Sequence, residues 1–318
     1  NFVFSKQKQG SMILRIEDTD KERSKKEYES DILESLQWLN IEYSLLYRQS
    51  ERTDIYHAYI TKLIASGGAY SAEDKVVRFK NPNKLIKFND LVRGDIQVDT
   101  TDLGDFIIAQ NERSPLYHLA AVIDDHEMSV THLIRGEDHI SNTPRQILIQ
   151  EAIGARRPLY IHIPLILAPD RSKLSKRHGA ASISDYRKQG YLPEALVNFM
   201  ALFGWSPQTK QSDKKQKLTN GITTVNKNDG IFTCTELVEN FSLEAIQKGG
   251  AVFDIDKLRW VNHEHIKLLT VEEFIQKIEP FLPQEINTMN NHLRQVFLSA
   301  IKEKIDVFSD IQTMYASG

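Results

Sequence analysis

Three clusters of ionisable residues have the types and spacing to handle a charged ligand. Glu17-Asp18-Thr19-Asp20 closes a short apolar run, and Arg135-Gly136-Glu137-Asp138-His139 closes another. In the third, Pro169-Asp170-Arg171-Ser172 turns the chain into Lys173-Leu174-Ser175-Lys176-Arg177, which gathers four positive charges at Arg171, Lys173, Lys176 and Arg177. A flexible basic loop beside a nucleotide can close on a triphosphate and neutralise the charge that builds on departing pyrophosphate. Such a loop works by electrostatics and positioning, with no covalent intermediate. On composition alone, a solvated basic turn explains the same residues.

The elements that must carry these clusters read as a parallel α/β sheet. Met12-Ile13-Leu14-Arg15-Ile16 is an apolar run of strand length. Two amphipathic helices follow, with Tyr28, Ile32, Leu36 and Leu39 on one face of the first and Tyr56, Tyr59, Ile60 and Leu63 on one face of the second, before Gly67-Gly68. Between residues 76 and 110 the period shortens. Val76-Val77-Arg78-Phe79, Leu91-Val92 and Phe106-Ile107-Ile108 read as strands of a small inserted unit, with Asn, Pro, Gly and Asp between them.

Val130-Thr131-His132-Leu133-Ile134 then leads to a helix opened by Thr143-Pro144 and stopped by Gly154, and Leu159 to Ile166 supplies a second buried strand. Strand, helix and strand over residues 130–166 make a βαβ crossover, hence parallel pairing. Ligands of open parallel sheets sit outside the C-terminal strand ends, which places Glu17 to Asp20, Arg135 to His139 and the 170–177 loop around one crevice. Beyond Arg177 the pattern is helical: Ile183 to Lys188 before Gly190, a helix opened by Pro193, then amphipathic spacing at residues 253–261 and 271–278. Residues 207–229, with Lys214-Lys215-Gln216-Lys217, have little to bury and read as a surface loop. No internal repeat is present.

Bulk properties narrow the classes. The 318 residues suffice for two or three domains. With 41% hydrophobic and 26% charged residues the composition is that of a globular protein, and no apolar run approaches the ~18–20 residues that span a bilayer. A net charge of −3 means that a nucleic-acid partner must be held by local basic patches. The one cysteine, Cys234, excludes an intrachain disulfide and a multi-cysteine zinc site and is expected to be a buried thiol. His132 and His162 lie in apolar strand runs without paired acids or cysteines and, with His126, are read as structural.

The order of residues in the basic loop goes further than its composition. Lys-Leu-Ser-Lys-Arg after a buried strand and a Pro-Asp turn resembles the KMSKS loop of class I aminoacyl-tRNA synthetases, and Lys173 to Gly179 is similar to its bacterial glutamyl version. Arg15-Ile16-Glu17-Asp18-Thr19-Asp20 with Arg23-Ser24, Tyr47-Arg48-Gln49-Ser50-Glu51-Arg52, Leu91-Val92-Arg93-Gly94, Asp124-Asp125-His126, Ile134-Arg135-Gly136-Glu137-Asp138-His139, and Tyr191-Leu192-Pro193-Glu194-Ala195-Leu196 occur in that family's order. Together they cover roughly residues 1–205, and Lys257-Leu258-Arg259-Trp260-Val261-Asn262 extends the match.

The resemblance to bacterial-type glutamyl-tRNA synthetases implies a Rossmann-type parallel-sheet catalytic domain at 1–68 and 116–180, interrupted by an acceptor-binding insertion at 69–115. A helical stem-contact domain at 181–270 and the start of a helical anticodon-binding domain at 271–318 would follow. It implies that Lys176, assisted by Lys173 and Arg177, contacts the phosphates of ATP, with Ser175 beside them. Glu17 would receive the α-ammonium of glutamate, Arg135 its side-chain carboxylate through a planar fork, and Tyr117 would add a hydroxyl. Asp138 and His139 would line the adenosine or substrate pocket.

ATP with Mg2+, L-glutamate and tRNA-Glu are the implied ligands, with a monomeric, cytoplasmic enzyme that activates glutamate only once tRNA is bound. An organellar location is also compatible. The family's His-Ile-Gly-His-type tetrad is expected upstream of Asn1, whose helical surroundings read as the end of a helix already under way. Zinc, which many relatives hold after the second helix, is not expected, because Ala69-Tyr70-Ser71-Ala72 lacks the cysteines. Two other readings are open: a paralogue that glutamylates queuosine in tRNA-Asp, disfavoured by the helical pattern past Asn262, and a non-catalytic tRNA-binding relative.

Overall fold

The structure, a computed structural model, describes residues 1–20, 24–175, 181–205 and 230–316. A short helix, Phe2–Gln7, leads to strand Ile13–Ile16, which pairs in parallel with Leu45–Arg48. Parallel neighbours need a crossover, here the helix Lys26–Trp38. The same construction recurs where His132–Gly136 and Leu159–Ile163 pair in parallel on either side of helix Thr143–Ile153. That helix carries Pro144 in its first turn, where no N–H is needed, and ends on Gly154 at φ 73°, a left-handed cap. The βαβ crossover expected over 130–166 is present.

The strands between 69 and 115 divide between two sheets. Ala69–Ser71, Val77–Phe79, Phe106–Asn111 and Ser114–Pro115 form one antiparallel sheet. Leu85–Asp90 and Gly94–Asp99 form a hairpin whose first strand joins the parallel sheet beside Leu159–Ile163. The expected strand at Leu91-Val92 is instead the hairpin turn. The Asp90 carboxylate makes it so by accepting from the amides of Val92 at 3.0 Å and Arg93 at 2.8 Å, an Asx-type turn. Leu85–Asp90 alternates outward and inward, with Ile86, Phe88 and Asp90 buried. That period of two is legible in the sequence once the flanking Asn and Pro residues are set aside.

Two main cores result. The first packs Tyr56, Ile60 and Leu63 of helix Thr53–Ala65 against helices Tyr117–Glu127 and Thr143–Ile153 and both larger sheets. The second gathers the helices from Ile183–Gln189 to Asp310–Ala316 around residues such as Phe199, Leu258 and Phe274. A two-stranded parallel pair, Ile166–Leu167 with Ala251–Val252, ties that helical part to the strand that precedes the basic loop.

Two further expectations are corrected. Helix Lys26–Trp38 exists, but it buries no residue: Tyr28 and Ile32 are exposed, and only its end, at Trp38 and the following Leu39, packs on the second core. Cys234 is exposed. Thr233 and Glu236 form a capping box that fixes the start of helix Cys234–Asn240, so that Leu237 turns inward and the first helical residue faces out. The lysine-rich stretch at 214–217 lies outside the described residues.

Candidate functional site

Arg135, in strand His132–Gly136, is half-buried and belongs to a set of directed hydrogen bonds. Its Nε–H donates to His162 Nε2 at 3.1 Å and an Nη2–H to Thr143 Oγ1 at 2.9 Å. The Thr143 hydroxyl in turn donates to the His139 carbonyl at 3.1 Å. Both acceptors are neutral groups. No carboxylate forms an ion pair with Arg135 among the described residues, and burial pushes the guanidinium pKa below its usual range, with Tyr117, Tyr160 and Asp125 opposing. An arginine fixed by neutral acceptors, with no ion-paired carboxylate among the described residues, keeps its fork geometry suited to a bidentate anion.

Tyr117 opens helix Tyr117–Glu127 and joins this group: its hydroxyl lies 3.2 Å from His139 Nδ1. Burial first, then the charge of Glu17, raises the Tyr117 pKa, while Arg135 acts the other way. Tyr117 thus lies within electrostatic reach of both Glu17 and Arg135. His139 is itself held by Asn142 Nδ2 at 3.3 Å within the short 3-10 helix Glu137–Asn142.

Glu17 leaves the end of strand Ile13–Ile16 and is braced by Arg15. The Arg15 guanidinium contacts Glu17 at 3.1 Å and Asp125 at 2.8 Å. Burial opposes the charge on Arg15, yet Asp125 and then Glu17 outweigh it and hold the pKa above its ordinary value. Asp124, fully buried, accepts from Gln49 at 2.9 Å, Arg52 at 2.7 Å and the Tyr56 hydroxyl at 2.8 Å. Asp18 accepts from the Ser50 amide at 2.9 Å and its hydroxyl at 2.6 Å. Three separate sequence motifs therefore meet behind Glu17 and fix the strand end that presents it.

On the opposite side Lys173 reaches Asp138, Nζ to Oδ2 at 2.7 Å, and that bond is the main cause of the lowered Asp138 pKa. Asp138 folds back over Gly136, where a Cβ would lie 2.6 Å from Asp138 Oδ1, so any larger residue would push the Asp138 carboxylate aside. Lys173 pairs with Leu167 in an isolated antiparallel bridge, and Asp170 caps the turn by accepting from Ser172 at 2.9 Å. Ser175 is the last described residue of the loop; Lys176 and Arg177, the phosphate contacts expected from sequence, lie outside the described residues. Glu137 links the two sides, with one oxygen on Arg93 at 2.7 Å and the other on the Leu165 amide at 3.1 Å.

Sequence reasoning missed the pair behind Arg135. His162 was expected to have no paired acid, but its Nδ1 lies 2.6 Å from Asp90 Oδ2, with both side chains wholly buried. The signal was the inward alternation of Leu85–Asp90, which ends on an acid, and the mistaken strand at Leu91-Val92 concealed it.

The chain as a whole is similar to known proteins. A family model described as the catalytic domain of class I tRNA synthetases (E and Q) matches residues 1–76 and 71–260. A glutamate–tRNA ligase of Aquifex aeolicus is 38% identical over 98% of this chain and 72% of its own length. One from Carboxydothermus hydrogenoformans is 41% identical over 88% of this chain and 66% of its own. The crystal structure of the glutamate-tRNA synthetase from Elizabethkingia anophelis superposes with a TM-score of 0.83 at 29% identity, covering 98% of this chain and 75% of that one.

Proposed function

Because this chain belongs to the family of class I tRNA synthetases for glutamate and glutamine, we propose that it carries the site at which a glutamate–tRNA ligase activates L-glutamate and charges tRNA-Glu. The observation that carries the choice of glutamate is the half-buried Arg135, held by His162 and Thr143 without a carboxylate ion pair among the described residues. A substrate side-chain carboxylate completes it. A neutral glutamine amide leaves the charge unpaired, and an unpaired buried polar group is what produces strong rejection.

In this reading Glu17 accepts from the α-ammonium and Tyr117 donates its hydroxyl to the glutamate, so the α-carboxylate faces the α-phosphate of ATP. A carboxylate oxygen attacks that phosphorus, the bond to the bridging oxygen breaks, and pyrophosphate leaves. Lys173, Lys176, Arg177 and Ser175 meet the phosphates and stabilise the charge that moves onto pyrophosphate. Asp138 and His139 border the adenosine side. Bound with the triphosphate as part of the substrate, Mg2+ would supply further charge neutralisation. The terminal ribose hydroxyl of tRNA then attacks the glutamyl carbonyl and releases AMP.

The catalytic parts at 1–68 and 116–180, the acceptor-binding insertion at 69–115, the stem-contact part at 181–270 and the start of the anticodon-binding part at 271–318 belong to the same proposal. So do the absence of a zinc requirement, a monomeric state and a cytoplasmic location. The queuosine-modifying alternative is not favoured, since curated relatives matched along nearly the whole chain carry the name glutamate–tRNA ligase. The test is glutamate-dependent pyrophosphate exchange with tRNA-Glu present. Exchange with glutamate and little with glutamine is expected; none with either, tRNA bound, would overturn the proposal.

A further inference from the structure

Arg135 presents its fork correctly only if something holds the Nε edge, and the choice of holder decides how much charge is left for a substrate. Here the holder is an imidazole. Its tautomer follows from its neighbours: Arg135 Nε–H has only a proton to offer, so His162 Nε2 must carry a lone pair, and the ring proton must sit on Nδ1. That proton points to Asp90 Oδ2 at 2.6 Å. Asp90 is in turn fixed by three backbone amides, those of Val92, Arg93 and His162 at 2.8 to 3.0 Å. The chain Asp90, His162, Arg135 runs from a fully buried acid to the mouth of the pocket.

Asp90 does not touch Arg135, and the interposed neutral ring is what keeps it away. A carboxylate at the position of His162 would pair with the guanidinium in a closed ion pair, and the incoming ligand would have to compete with it. An apolar residue would leave Arg135 Nε–H buried and unpaired and free the side chain to rotate. A neutral acceptor fixes the orientation without spending the charge.

We propose that His162, locked by Asp90, is a positioning and specificity residue: it aims the Arg135 guanidinium at the substrate side-chain carboxylate and leaves the positive charge uncompensated for it. The proposal rests on the glutamate reading of the site. It concerns only the glutamate end; the phosphate and tRNA ends have no part in it.

The experiment compares His162→Ala, His162→Gln, His162→Asp and Asp90→Asn in the full chain with tRNA-Glu, measuring KM for glutamate, KM for ATP, kcat and the glutamate-to-glutamine ratio in pyrophosphate exchange. His162→Ala raises KM for glutamate about ten- to hundredfold, the scale of one hydrogen bond to a charged group, with kcat and KM for ATP within about threefold of wild type. His162→Gln, whose amide oxygen can accept from Arg135, restores most of the loss. His162→Asp raises KM for glutamate and narrows the glutamate-to-glutamine ratio, because the new carboxylate occupies the guanidinium. Asp90→Asn frees the tautomer and behaves like His162→Ala, and the double variant with His162→Gln is no worse than His162→Gln alone.

Equal losses in kcat and in both KM values for all four variants, or no rescue by glutamine, would mean a merely structural role and overturn the proposal. So would an unchanged KM for glutamate in His162→Ala. Thermal unfolding of each variant separates misfolding from misaiming: if His162→Ala does not fold, the comparison of His162→Gln with His162→Asp decides. Failure of wild type to activate glutamate at all would instead refute the function proposed above.

Discussion

Asp124 is the acid on which the back of the site depends, and its removal has a calculable effect. The side chain is wholly buried and accepts from Gln49, Arg52 and Tyr56 at 2.7 to 2.9 Å, while the Arg52 side chain is only 12% exposed. In Asp124→Ala the Arg52 charge stays in place without its partner. Deleting one member of a buried ion pair costs about 3–5 kcal/mol, and each stranded neutral donor adds roughly 1 kcal/mol, less than additively in a shared network. A loss of at least about 4 kcal/mol is therefore expected. Tyr56→Phe removes one donor and leaves Gln49 on the same oxygen, so it should cost only about 1 kcal/mol. Urea unfolding followed by circular dichroism, with hydrogen exchange in helix Thr53–Ala65, measures both. An Asp124→Ala loss below about 1 kcal/mol, or a Tyr56→Phe loss as large as that of Asp124→Ala, would refute the network reasoning.

His265 is buried against Asn198 Oδ1 at 3.0 Å, and burial lowers its pKa from 6.5 to about 4. The unfolded chain then binds the extra proton first, so this residue's contribution is complete above about pH 6.5 and is lost as pH falls toward 4. The loss amounts to about 3 kcal/mol; melting curves should show it in wild type and a flatter profile in His265→Gln. Gly190 has φ 82°, and a Cβ there would lie 2.6 Å from Phe308 Cβ and 2.9 Å from its amide nitrogen. Gly190→Ala should lower stability by about 2 kcal/mol or more, with a Tm unchanged from wild type contradicting the contact. Lys176→Ala should slow glutamyl-adenylate formation about a hundredfold or more while tRNA binding persists; undiminished pyrophosphate exchange with tRNA present would remove Lys176 from the phosphate site.

What the sequence made legible was local or motif-borne. The βαβ crossover over 130–166 could be read because its strands are continuous apolar runs and its helix carries Pro144 and Gly154 at the positions that need them. The placing of Glu17 and Arg135 at one crevice followed from the rule that ligands sit at C-terminal strand ends, whereas Tyr117 came only from the resemblance to the synthetase family. The supports were not legible, because they depend on contacts between distant segments. Asp90 reaches His162 across 72 positions and Arg15 reaches Asp125 across 110. Periodicity carries no trace of such pairings. Cys234 was misread for a simpler reason: cysteine is usually buried, and here the Thr233–Glu236 capping box set the phase of a short helix and turned the first residue outward. Tyr28 and Ile32 share a face, as their spacing predicts, but spacing does not say what lies against that face.

Arg135 is the group proposed to choose glutamate by charge. The direct measurement is pyrophosphate exchange, with tRNA-Glu bound, for wild type and Arg135→Gln, each with glutamate and with glutamine. Loss of a charge-assisted pair in a pocket predicts a fall in kcat/KM for glutamate of about a hundredfold or more and a glutamate-to-glutamine preference reduced to within about tenfold. An Arg135→Gln protein that still prefers glutamate as strongly as wild type would contradict the claim.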